Sequence, residues 1–135
     1  MILIENLNWL AIAAAVIANM GLGALWYSPL LFGPMRLEAT GKKQEDIKGG
    51  GAAVATSIIP AFLVSVGIAI LVSATLIDTW GEGITMGLFT WVCFALPTLW
   101  LEVIFHDKPL KVFLINNGNL AISYMTIGAI VGGWQ

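Results

Sequence analysis

The stretch AVATSIIPAFLVSVGIAILVSATLI, residues 53–77, carries no charged side chain, and the uncharged run around it fills all 29 positions between Lys48 and Asp78. A helix needs about 20 apolar residues to cross a hydrocarbon core about 30 Å thick, so this segment reads as one transmembrane helix. The pattern recurs along the chain. An uncharged run of 30 residues separates Glu5 from Arg36, 19 separate Glu82 from Glu102, and 24 follow Lys111. Each interval accommodates one crossing and none comfortably two. The expected helices cover about 8–27, 53–77, 83–105 and 110–134. Continuous apolar runs without alternation argue against barrel strands. The expected fold is therefore all-α: a polytopic membrane protein whose single domain, 1–135, is a compact bundle of four transmembrane helices.

Composition agrees with this reading. Of 135 residues 59% are hydrophobic and 10% charged, and mean hydropathy is +0.90, whereas a soluble domain carries about 25% charged residues. A water-soluble globule and a disordered chain are both excluded. A net charge of -2 offers no basic surface to nucleic acid. The single cysteine, Cys93, rules out an intrachain disulfide and any CxxC motif; it reads as a small packing residue. The first apolar segment has no Lys or Arg before it, so it lacks the basic start of a signal peptide and reads as a retained helix.

All six basic residues fall on two loops. Arg36, Lys42, Lys43 and Lys48 lie between helices one and two, and Lys108 and Lys111 between three and four. The positive-inside rule puts those loops in the cytoplasm and both termini outside it. Trp9, Trp80 and Trp134 fall at the expected outer helix ends, with Trp26, Tyr27, Trp100 and Phe105 toward the inner ends, as two interfacial aromatic belts. Residues 78–82 read as a tight outer hairpin. Residues 28–52, broken by Pro29, Gly33, Pro34, Gly41 and the triplet Gly49, Gly50 and Gly51, read as a solvated linker.

Helix two carries the clearest periodic signal. Ala53, Ser57, Ala61, Ser65, Ala69 and Ser73 are all small and recur every four residues. Small residues let membrane helices approach closely. The ridge is a helix-packing interface, seating helix two against a neighbour in the bundle or, alternatively, forming a dimer face or a water-lined path. Ala11, Ala15, Asn19 and Gly23 make a similar ridge on helix one, and Gly128 with Gly132 a shorter one on helix four. Pro60 and Pro97 can kink helices two and three and free backbone carbonyls to line a cavity.

Polar residues gather toward the inner side. Glu102 is the only acidic residue expected inside a helix, and Thr98, Glu102 and His106 share a face at spacings of four. Asn116, Asn117 and Asn119 lie at comparable depth on helix four, while Tyr27 and Ser28 end helix one and Thr56 and Ser57 begin helix two on that side. One reading has Glu102 reaching to water or to Lys108 or Lys111, with the asparagines tying helices together. The other makes the layer a solute or ion site, since intramembrane polar groups mark pathways. A lone His106 excludes bis-histidine haem, and the absence of a lysine beyond Lys111, at the loop edge of helix four, excludes a retinal Schiff base. No serine stands in a nucleophile context. The expectation is a non-enzyme without metal or cofactor.

The stretch Gly23-Ala24-Leu25-Trp26-Tyr27-Ser28-Pro29-Leu30-Leu31-Phe32-Gly33 resembles the signature of the bacterial membrane family of domain of unknown function 1761. Asn8-Trp9-Leu10-Ala11 is similar to that family's first helix, as is the late combination of Glu102 with Asn116-Asn117. The sequence departs from the pattern after Phe32-Gly33, where Pro34-Met35-Arg36 stands in place of another aromatic. The resemblance implies a four-helix protein of the bacterial inner membrane with no assigned activity. The polar layer, the prolines and the ridges leave two functions from different classes ahead of a third, a membrane enzyme. One is a small solute- or ion-handling, transporter-like protein with its polar layer near the cytoplasm. The other is a structural or accessory subunit, packing through its small-residue ridges against a larger complex. Its expected partners are the lipid bilayer and either a second copy or that complex.

Overall fold

The computed structural model describes residues 4–27, 31, 34–35, 38, 50–107 and 109–134, with side chains in the second helix from residue 55 onward. Four long helices follow in order: α1 (Trp9–Trp26), α2 (Gly50–Ala74), α3 (Trp80–Phe105) and α4 (Leu110–Gly133). No strand occurs among the described residues. Trp9–Trp26, Ala55–Ala74 and Trp80–Phe105 are long and apolar enough to cross a membrane. With 24 residues α4 is long enough as well, but Asn116, Asn117 and Asn119 lower its hydropathy.

The least apolar helix is the one at the packing centre. α4 contacts α1, α2 and α3 and buries Val112, Ile115, Asn117, Ser123, Ile127, Gly128, Val131 and Gly132. A helix shielded by its neighbours can carry amides that would be costly facing lipid.

Capping chemistry shifts two boundaries from those expected. Thr79 Oγ1 accepts the Glu82 N–H at 3.2 Å, so α3 starts at Trp80, and Trp80, Gly81 and Glu82 belong to its first turn rather than to a hairpin. α2 ends at Ala74 instead of Ile77, because Leu76 turns the chain with a φ of 58°. Charge-free length cannot reveal a left-handed residue or a threonine cap. At the start of α1, Asn8 Oδ1 caps the Ala11 N–H at 3.1 Å, and Asn8 Nδ2 donates to the Trp134 carbonyl at 3.1 Å. The beginning of α1 and the end of α4 therefore lie at the same end of the bundle.

The closest helix approach is a glycine seam. Gly83 and Gly87, one turn apart on α3, face Gly128 and Gly132, one turn apart on α4. A Cβ on Gly83 would overlap the Gly128 carbonyl, one on Gly87 the Tyr124 carbonyl, and one on Gly132 would come within 2.8 Å of Gly83 Cα. These are two small-xxx-small pairs, the arrangement that lets backbones touch in lipid. The α4 pair is evident as a sequence ridge; its partners on α3 are found only from the packing.

The α2 ridge also points inward. Ala61, Ser65 and Ala69 are buried, with Ser65 at 0% exposure; Ser57 and Ser73 are half-buried, and the side chain of Ala53 lies outside the described residues. Ile68, Ala69 and Val72 form a core with Leu7, Ala11, Ile12 and Ala15 near the start of the chain and Ile127 and Val131 from α4. Pro60 sits inside α2 without ending it. On α3, the segment Trp91–Ala95 is a π-helical turn closed by the Leu96 N–H on the Trp91 carbonyl. Pro97 follows directly. Its ring would crowd the carbonyl four residues back, and the wider turn accommodates it.

The seam yields a paired prediction. Gly128→Ala drives a methyl into backbone and is expected to lower stability by about 1–3 kcal/mol. Gly67→Ala, whose Cβ meets nothing within 4 Å, is expected to be neutral or stabilising. Thermal unfolding of the purified variants in detergent checks both; equal midpoints would mean that the seam does not hold α3 to α4.

Candidate functional site

Below the core, toward the end of the bundle where α1 and α3 finish, the ridges of α1 and α2 stop touching. Ala11 and Ala15 are buried, but Asn19 and Gly23, farther along the same α1 ridge, line an open cleft. On α2 the lining residues are Ser57, Pro60, Ala61 and Val64, and on α4 they are Asn119, Leu120, Tyr124 and Ile127. The cleft has a volume of ≈ 590 Å³, within the range of small-molecule sites. Its walls are apolar apart from Asn19, Tyr27, Ser57, Asn119 and Tyr124. Ser57 Oγ donates to Met20 Sδ across the α1–α2 boundary at 3.6 Å.

One side of the cleft is fastened by the end of α1. Trp26 Nε1 donates to the Ile115 carbonyl at 2.9 Å, and Tyr27 OH donates to Asn116 Oδ1 at 2.7 Å. The Trp26 ring lies over Gly118, where a Cβ would come within 2.8 Å of it. A side chain at position 118 would therefore displace the indole. Trp26 is thus a docking residue as well as an aromatic near a helix end.

Nearer the start of α4, between it and α3, lies a much smaller crevice. Leu99, Glu102 and Val103 of α3 and Val112, Phe113, Asn116 and Asn117 of α4 line it. Glu102 is half-buried there. Asn117 is 4% exposed; its Nδ2 donates to the Phe113 carbonyl at 3.1 Å, while its Oδ1 is buried without a hydrogen-bond partner.

The expected inner layer is therefore divided rather than continuous. Glu102, Asn116 and Asn117 come together, and Asn116 links them to Tyr27. Asn119 faces the separate cleft. Thr98 is exposed, with its hydroxyl donating to the Phe94 carbonyl at 2.8 Å, and His106 is exposed at the end of α3. Neither joins the asparagines. Ser28 lies outside the described residues. Ser57, expected in the α2 ridge and the inner layer, and Asn19, expected in the α1 ridge, line the cleft together with Tyr124, which was not among the expected site residues. The spacing Asn19, Gly23, Tyr27 is the sequence signal that points to them, since every fourth residue shares a face. Among the described residues no group of three His, Cys, Asp or Glu is placed to hold a metal.

The model of a family described as a protein of unknown function (DUF1761) matches residues 10–132. The chain belongs to this family. The match spans the Trp26-Tyr27 dock, the cleft and the Glu102 crevice together. No curated protein and no solved structure matches the chain.

The dock can be tested by a double-mutant cycle. Tyr27→Phe and Asn116→Leu are each expected to lower stability, with a coupling between them of about 0.5–1.5 kcal/mol for the lost hydrogen bond. Unfolding midpoints of the two single variants and the double variant give that coupling; strictly additive effects would show that the bond contributes nothing.

Proposed function

We propose that this protein is a four-span membrane protein, with both termini outside the cytoplasm, that binds a small uncharged and largely apolar molecule in the cleft between α1, α2 and α4. The cleft is the observation that carries this reading. Its size suits a small ligand, its apolar walls supply most of the contact, and a few hydroxyls and amides are placed to orient the guest. Among the described residues no charged side chain lines it, so a charged guest would be desolvated there without a counter-charge from them, which is costly. The guest handled is thus a neutral solute, consistent with a transporter-like role at the inner-membrane interface.

The alternative role, an accessory subunit, drew its support from the small-residue ridges. Ala61, Ser65 and Ala69 are buried within the chain itself, and the glycine pairs of α3 and α4 are engaged with each other. Solute handling is accordingly the reading with the better support. For the topology, the charge distribution of the loops is complemented by the Asn8–Trp134 bond, which sets the first and last helix ends on one side. An alkaline phosphatase fused after Gln135 should be active; an inactive phosphatase with a fluorescent cytoplasmic reporter at that position would overturn the orientation.

Gly23 gives the test of the cleft. It lines the cavity, and a Cβ built on it meets nothing within 4 Å, so Gly23→Leu fills the space without a backbone clash. Organic extracts of the wild-type and variant proteins, purified alike, are compared by untargeted mass spectrometry. A small molecule enriched with the wild type and lost from Gly23→Leu is the expected result. Indistinguishable extracts from two equally stable proteins would refute a ligand cleft.

A further inference from the structure

We propose that the cleft takes a neutral, single-chain amphiphile lengthwise, with its hydrogen-bonding head at the Tyr27 end and its apolar tail against the core. This deepens the reading of the cleft as a ligand site and rests on it.

The register of the helices orders the cleft along the bundle axis. Asn8 bonds Trp134 at one end of α1, and Tyr27 bonds Asn116 at the other. The two helices are therefore antiparallel, and the numbers of level residues add to 142 (8 and 134) or 143 (27 and 116). By that register Gly23 is level with Asn119 or Leu120, Asn19 with Ser123 or Tyr124, and Ile127 with Ala15 or Val16. α2 is antiparallel to α1 as well. Ser57 meets Met20, and farther along α2, Ala69 and Ser73 share a small crevice with Asn8 and Ala11. Pro60, Ala61 and Val64 hence lie progressively farther from Tyr27. From Tyr27 to the level of Ile127 the cleft runs about 17 Å, at a rise of about 1.5 Å per residue.

Polarity is graded along this length. Tyr27, Asn119, Ser57, Asn19 and Tyr124 lie in the stretch nearer the Tyr27 end, whereas Ala61, Val64 and Ile127 line the far end. Val64 and Ile127 also pack in the core with Ala15 and Ile68, so the cleft ends against apolar side chains. Asn19 and Asn119 line it from α1 and α4, and neither side chain hydrogen-bonds to another described residue. An amide removed from water without a partner is costly. A guest hydroxyl or amide, donor and acceptor at once, satisfies such groups. A carboxylate or phosphate head meets no counter-charge among the described lining residues, which disfavours fatty acids and phospholipids. A plain hydrocarbon would leave the amides unpaired, and a compact sugar would set hydroxyls against Val64 and Ile127. A monoacylglycerol, or a long-chain alcohol or amide, matches both ends.

The test is photo-crosslinking of the full chain reconstituted in phosphatidylcholine vesicles. The probe is a 1-monoacylglycerol with a diazirine at the end of its acyl chain, and labelled residues are read by peptide mass spectrometry. Labels are expected at Ala61, Val64 or Ile127; a second probe, with the diazirine beside the glycerol, should label Gly23, Ala24 or Asn119 instead. Unlabelled monoacylglycerol should compete with both probes, and a fatty acid of equal chain length about tenfold less well. Gly23→Leu should lose both sets of labels. Labels confined to exposed residues such as Ile59 and Leu63 and unchanged in Gly23→Leu would overturn the proposal. A reversed order of the two probes, or equal competition by the fatty acid, would overturn it without recourse to the variant. Failure here is separable from failure of the ligand cleft. A compact neutral molecule enriched in wild-type extracts and lost from Gly23→Leu would leave the cleft a ligand site and remove only the amphiphile.

Discussion

Gly83 and Gly128 bring the backbones of α3 and α4 into contact, and the rest of the bundle is arranged around that approach. In lipid there is no hydrophobic drive between helices, so close packing has to supply the attraction. A methyl group at any of the four seam glycines would push the helices apart. Because the seam involves the first half of α3 and the second half of α4, it closes one end of the bundle tightly. Beyond the π-helical turn at Trp91–Ala95, α3 packs much less extensively against α4. Toward the Tyr27 end lie the Glu102 crevice between α3 and α4 and the cleft between α1, α2 and α4.

What keeps that open end in register is a pair of side chains from α1. Trp26 and Tyr27 reach Ile115 and Asn116, consecutive residues on α4, one through a backbone carbonyl and one through an amide. Asn116 thus belongs to the dock and borders the crevice, while Tyr27 belongs to the dock and borders the cleft. The cleft and the crevice thus share one hydrogen bond.

Most hydroxyls in the helices are satisfied locally. Ser65, Thr75, Thr85, Thr90, Thr98 and Thr126 each donate to the carbonyl four residues back, which makes them almost neutral toward lipid. Against that background the exceptions stand out. Asn117 Oδ1, Ser123 Oγ and Trp91 Nε1 are the buried side-chain atoms without a partner among the described residues. Of the three, only Asn117 lines a crevice together with a carboxylate, that of Glu102.

The order of helices, their lengths to within a turn and the inward face of the α2 ridge were legible in the sequence by itself. Charge-free length and fourfold spacing are one-dimensional properties, and the bilayer and the helix convert them directly into spans and faces. The sequence could not show that Asn119 faces away from Asn117, although two residues separate them by 200° on a helix, because which neighbour occupies each side depends on how the helices pack. It also could not pair Gly83 and Gly87 with Gly128 and Gly132, 45 residues apart in the chain (128 − 83), or place Trp26 on Gly118. Those partnerships come from the three-dimensional path of the chain. Tertiary structure alone decided that one expected polar layer became a cleft and a crevice, since a backbone contact at one end of two helices fixes how far they diverge at the other.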